Sequence, residues 1–157
     1  MKKTLCLFVV MFLLLGASSV MAQTTLRAVL SGAEENPGVA TNASGEAVFV
    51  VYPDRIEYTL TARNIGTVVS ASHIHLGPRG VNGPVILFLF NSTTQGTFPG
   101  RVSGTLTAED LIAKPDLGLV TFDDAVAAIL GGRTYANLHS VPVAPGGEIR
   151  GQIEAPK

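Results

Sequence analysis

Three histidines are the side chains best suited to chemistry in this 157-residue chain, and all stand in segments that alternate like strands. His73 and His75 lie in Ser72-His73-Ile74-His75-Leu76, and His139 lies in Asn137-Leu138-His139-Ser140. Successive side chains of a strand point to opposite faces, so His73 and His75 share one face while Ile74 and Leu76 turn toward the core. The pattern His-x-His puts two imidazoles on one side of a metal ion. A third imidazole from a nearby strand completes a set suited to copper or zinc, with water or another side chain filling the remaining position. The competing reading is that His73 and His75 hydrogen-bond within a polar face, to Glu148 or Asn137, and stabilise the sheet without any ligand. The metal reading needs neutral rings and therefore predicts affinity that falls as pH drops below about 6.5.

Other chemistry has thinner support. Serine is plentiful, but no Gly-x-Ser-x-Gly elbow occurs, and His139 and Ser140 face opposite ways along a strand. Glu34-Glu35 precedes Asn36-Pro37-Gly38 in a loop-like stretch, where adjacent carboxylates are expected to be solvated, and no spacing suggests a glycosidase acid and base. The glycines of 77–83 resemble a phosphate loop, yet that segment leads into the strand-like run 85–90 and not into a helix N-terminus. Arg150, between Ile149 and Gly151, has two open readings: a clamp for a carboxylate ligand, or an ion pair with Glu148 or Glu57. With no complete catalytic set, the expected job is non-enzymatic binding or structure. Asn137, Glu148 and Arg150 are the polar residues placed to support the histidines.

Holding three rings together takes a sheet, and strand-like segments recur for most of the chain. They run over 25–31, 45–52, 55–62, 67–76, 84–90, 101–106, 133–140 and 148–154. Pro53-Asp54 is a turn pair that should join the second and third as a hairpin, and 141–147 should connect the last two. In the third, Ile56, Tyr58, Leu60 and Ala62 alternate with Arg55, Glu57, Thr59 and Thr61, giving one buried and one wet face. The last two carry polar rows, Tyr135, Asn137, His139 and Glu148, Arg150, Gln152, that should share the outer face with His73 and His75. Between 107 and 131 the period changes. Thr107 with Asp110, and Thr121 with Asp124, look like helix caps, and Phe122, Val126, Ile129 and Leu130 fall at helical spacing before Gly131-Gly132. Together these signals predict an antiparallel sandwich with one or two short inserted helices.

Upstream, Lys2 and Lys3, the apolar run 5–15 and the small residues ending in Val20-Met21-Ala22 read as a cleavable secretory signal over 1–22. That run is too short to span a membrane. The Met1-Lys2-Lys3 opening has a bacterial look, so the mature single domain, 23–157, is expected in the periplasm or outside the cell. Removing Lys2 and Lys3 from eleven basic residues leaves nine against twelve acidic ones, with no basic cluster, which argues against nucleic acid as a partner. The one cysteine, Cys6, departs with the signal, so packing or a bound ion must hold the fold.

Three stretches closely resemble the chordin (CHRD) domain. They are Leu30-Ser31-Gly32-Ala33-Glu34-Glu35-Asn36-Pro37 followed by Gly45-Glu46-Ala47; His73-Ile74-His75-Leu76-Gly77 with Gly83-Pro84-Val85; and Tyr135-Ala136-Asn137-Leu138-His139-Ser140 followed by 146–153. Ser140 stands where the family more often has threonine. The resemblance implies an immunoglobulin-like Greek-key β-sandwich, an extracytoplasmic binding module with an unknown ligand or protein partner, and no established catalysis. A fainter similarity runs to the copper-zinc superoxide dismutases, which also carry a His-x-His strand. The bridging histidine, the zinc ligands and the cysteine pair of those enzymes have no counterpart here.

Overall fold

The computed structural model describes residues 23–156, so the signal read at 1–22 lies outside the described residues. Eight antiparallel strands form it: β1 (Thr24–Ser31), β2 (Ser44–Val51), β3 (Ile56–Arg63), β4 (Val68–Leu76), β5 (Val85–Asn91), β6 (Arg101–Leu106), β7 (Thr134–Val141) and β8 (Ala144–Gln152). The strand alternation read from sequence is the alternation of burial. Leu26, Ala28 and Leu30 of β1, Ala47, Phe49 and Val51 of β2, and Ile56, Leu60 and Ala62 of β3 all enter one core. β2 and β3 pair without a slip from Ser44 opposite Arg63 to Val51 opposite Ile56, which is the hairpin expected at Pro53-Asp54.

Hydrogen bonding links all eight strands into one sheet in the order β5-β4-β7-β8-β1-β2-β3-β6. The all-β antiparallel expectation holds, but the two separate sheets of an immunoglobulin-like Greek-key sandwich are replaced by a single sheet that nearly closes, like a barrel. Two local features account for the difference. β8 and β1 join through Ser31 opposite Arg150 and through the bridge between Arg27 and Glu154. They can approach because Gly151 has no side chain to collide with the Val29 backbone. On the far side Tyr58 of β3 donates its hydroxyl to the Leu89 carbonyl of β5 at 2.6 Å, and Ile112 N–H donates to Ile86 O at 2.9 Å.

Between β6 and β7 the capping signals have mixed outcomes. Thr121 and Asp124 form a capping box that opens the helix Phe122–Leu130. Its buried stripe is Phe122, Ala125, Ala128 and Ile129, with Leu130 exposed, because the small alanines let the helix pack close to the core. Thr107 and Asp110 also form a capping box, but the turn they start is a 3-10 turn, Ala108–Asp110. Pro115 then begins a second 3-10 turn, Pro115–Leu117, since proline suits a first turn. A further helical turn, Ser92–Gln95, was not anticipated. The closing hairpin is tighter than expected: β8 already starts at Ala144, so only Pro142 and Val143 turn the chain. Among the described residues no helix is long and apolar enough to cross a membrane.

Candidate metal centre

The sheet order sets β4, β7 and β8 side by side, and register decides which side chains meet. His73 pairs opposite Asn137, His75 opposite Tyr135, and Ala71 opposite His139. Residues directly opposite share a face, so the three rings converge on the side away from Ile74, Ala136 and Leu138. One ligand nitrogen from each of His73, His75 and His139 lies within 4.8 Å of the other two. The clustering expected of the three histidines is therefore present. Register shifts in β4 against β5 fall at Ser72/His73 and Ile74/His75, in the middle of the His-x-His segment.

Backbone carbonyls fix two of the rings. His75 Nδ1–H donates to Gly83 O at 2.8 Å, and His139 Nδ1–H donates to Pro145 O at 3.0 Å. A carbonyl only accepts, so in the neutral ring the proton sits on Nδ1 and the lone pair on Nε2. His139 Nε2 then lies 3.1 Å from His73 Nδ1. His75 Nε2 is buried and has no hydrogen-bond partner. His75 thus has a carbonyl behind the ring and a free lone pair in front, the arrangement that metal-ligating histidines use, while the His139 lone pair faces His73 Nδ1.

Burial sets the charge state. Desolvation, followed by the neighbouring His139 and His75, lowers His73 to a pKa of about 3. Desolvation lowers His75 to about 4, against the Gly83 bond, with His139 and Arg150 adding to the fall. His139 is lowered as well, again by burial, partly offset by the bond to Pro145. His73 and His75 thus stay neutral well below the ordinary 6.5, and His139 is shifted in the same direction. Phe88 of β5 stands edge-on to His73 with ring centroids 4.5 Å apart and borders the centre on its open side.

The face expected to be wet is roofed. His73 and His75 are each only 9% exposed, and Asn137, Glu148 and Arg150 are buried more deeply still. The roof is the segment after β1 together with the 77–83 loop. Asn36 Nδ2 donates to Gly80 O, Asn82 Nδ2 donates to Asn36 O at 2.7 Å, and Arg79 pairs with Glu34. Glu34 and Glu35 were expected to be solvated, but Glu35 accepts from Asn137 Nδ2 at 2.7 Å. Burial raises its pKa to about 7 in spite of Arg150 and Asn137, which pull it down. Arg150 pairs with neither Glu148 nor Glu57. Its guanidinium donates to Asn82 Oδ1 at 3.0 Å, Pro78 O at 3.1 Å and Val81 O at 2.9 Å, and lies 3.4 Å from the centre of the Tyr135 ring. The loop therefore turns carbonyls toward a cation, the opposite polarity from a phosphate loop. Glu57 instead accepts from Arg55, and Glu148 Oε1 accepts from Thr41 Oγ1 at 2.8 Å while Oε2 stays buried without a partner.

A family model described as the CHRD domain matches residues 26–153. The chain belongs to the CHRD family. Comparison with curated proteins and with solved structures gives no match. In this CHRD domain the three stretches that carry the resemblance converge on the face just described. The first supplies Glu35 and half of the roof, the second the His-x-His strand and Gly83, and the third Tyr135, Asn137, His139 and Arg150. Sequence alternation found the histidines because they sit on strands. It missed Glu35, Gly83, Pro145 and Phe88, whose parts depend on loop placement or on register across β5. The one available signal for the loops was the resemblance itself, since Glu34-Glu35-Asn36-Pro37 and Gly83-Pro84 lie in CHRD-like stretches outside the histidine strands.

Proposed function

We propose that this CHRD domain is an exported, non-enzymatic binding module that takes a copper or zinc ion through His73, His75 and His139. The observation that carries this reading is the buried Nε2 of His75, whose lone pair has no partner and whose tautomer is fixed from behind by Gly83. A histidine that served only to bond within the sheet would have that nitrogen satisfied, because buried polar atoms are generally paired. Three neutral imidazoles without a carboxylate match the donor type of copper and zinc and leave a fourth position for water or a donor from a partner. Family membership supports the binding role and names no ligand. The secretory pattern at 1–22 supports export to the periplasm or beyond.

The test is calorimetric titration of residues 23–157, without a histidine tag, with copper and zinc. One ion per chain is expected, with affinity lost in His73→Ala, His75→Ala and His139→Ala. Equal binding by the wild type and all three variants would overturn the metal assignment and leave a binding module for another ligand.

A further inference from the structure

We propose that Arg150 is a positioning residue for this centre, acting through the 77–83 loop to decide which nitrogen of His75 faces inward. In naming the ion a metal this rests on the reading above; the claim about the His75 tautomer stands on geometry alone.

Arg150 is 1% exposed and touches the loop at three acceptors, none of them a carboxylate. A buried cation is costly unless every donor finds a partner, and here a planar fork meets two carbonyls and an amide oxygen while its face lies on Tyr135. What the fork holds is the body of the loop, and the loop ends at Gly83. That residue is gripped from two sides. Its N–H donates to Tyr135 Oη at 3.1 Å, and its carbonyl accepts from His75 Nδ1. The Tyr135 ring is itself stacked on His75, with centroids 4.8 Å apart and planes within 11°. In the strand order β4-β7-β8, Tyr135 lies between the histidine and the arginine. Arg150 thus reaches His75 by two routes, the aromatic ring and the loop, without contacting it.

Losing the fork leaves Val81 O and Asn82 Oδ1 without a donor and Pro78 O with the Val81 N–H alone, and it frees the loop to reshape. Gly83 O then no longer faces His75 Nδ1, and the ring has no reason to keep its proton there. With the proton on Nε2 the inward lone pair is gone. Lysine keeps the charge but supplies neither the fork nor the plane, so it should not substitute.

The experiment is nitrogen-15 NMR of histidine-labelled, metal-free 23–157, which reads the tautomer of each ring, paired with zinc titration. Wild type should show His75 and His139 with the proton on Nδ1. Arg150→Lys should move His75 toward the Nε2–H form while His139, held by Pro145, stays unchanged, and zinc affinity should fall about 10- to 100-fold. Asn82→Ala, at an exposed position, should shift the same ring in the same direction by less, and it decides the matter if Arg150→Lys fails to fold. Both variants keeping the wild-type His75 tautomer would overturn the proposal. So would equal shifts at His75 and His139, which would mark general loosening. A wild type that binds no zinc but whose His75 responds as described would sink the metal reading and uphold the positioning role.

Discussion

His73, His75 and His139 are neutral in the fold, and this ties stability to pH in the metal-free protein. All three pKa values lie below the 6.5 of an unfolded histidine, so as pH falls under 6.5 the unfolded chain takes up protons that the folded chain refuses. Stability drops over that window, and the drop ends once the folded rings titrate, near pH 3 to 4 for His73 and His75. Glu35 has the opposite sign. Its folded pKa of about 7 against an ordinary 4.5 makes folding weaker as pH rises between those values, and the loss levels off above 7. Three rings outweigh one carboxyl, so the melting temperature of the metal-free protein should fall from pH 6.5 to pH 4.5. Glu35→Gln retains an acceptor for Asn137 without the charge, and its melting temperature should gain on the wild type as pH rises from 5 to 8. A difference that is flat with pH would show that Glu35 does not titrate in this range. Gly147, at φ 132°, marks how tightly this face is built: a Cβ there would sit 2.6 Å from Asn137 Nδ2 and 2.7 Å from Glu35 Oε1. Of the site, the histidine face was legible in the sequence because alternation is local. The neutrality of the rings was not, because it comes from a roof contributed by residues 32–37 and 77–83.

Strands and helix illustrate what local pattern can specify. Alternation in β1, β2 and β3 places Leu26, Phe49 and Leu60 inside with no knowledge of partners, since side-chain direction follows from the backbone alone. Phe49→Ala should cost about 3–5 kcal/mol in urea unfolding, because the ring is fully buried in the core. Thr121 accepts from Asp124 N–H at 3.2 Å and Asp124 Oδ2 accepts from Thr121 N–H at 2.8 Å, so each satisfies an orphan donor of the first turn. Thr121→Ala should lower stability by about 1 kcal/mol in the same assay. An identical signature at Thr107 and Asp110 produces only a 3-10 turn, because a cap supplies a start and the length depends on an apolar face that follows. After Thr121 that face exists, in Phe122, Ala125 and Ile129. After Thr107 the chain reaches Pro115 first. The sequence pattern was read there as a helix on the strength of its opening alone.

For the whole molecule, the number and direction of the strands were readable, and the closure of the sheet was not. Whether two four-stranded halves stay apart or join is decided at Gly151 and Val29, a close approach between residues more than a hundred positions apart. Gly151→Val should force the backbones apart at that seam and destabilise the protein by about 1–3 kcal/mol, read as a lower denaturant midpoint. The seam also places the strand that opens the domain beside the strand that closes it. Arg27 and Glu154 exchange both backbone hydrogen bonds, at 2.8 and 3.1 Å, so the chain enters and leaves at one point on the surface. A domain of this kind behaves as a plug with both leads on the same side. It can be set into a surface loop of a host protein without stretching the host, and its ends can be exchanged without redrawing its interior. A circular permutant that joins Pro156 to Gln23 through a short glycine-serine linker and opens the chain at Pro53-Asp54 should keep the wild-type circular dichroism spectrum and melt in one cooperative step.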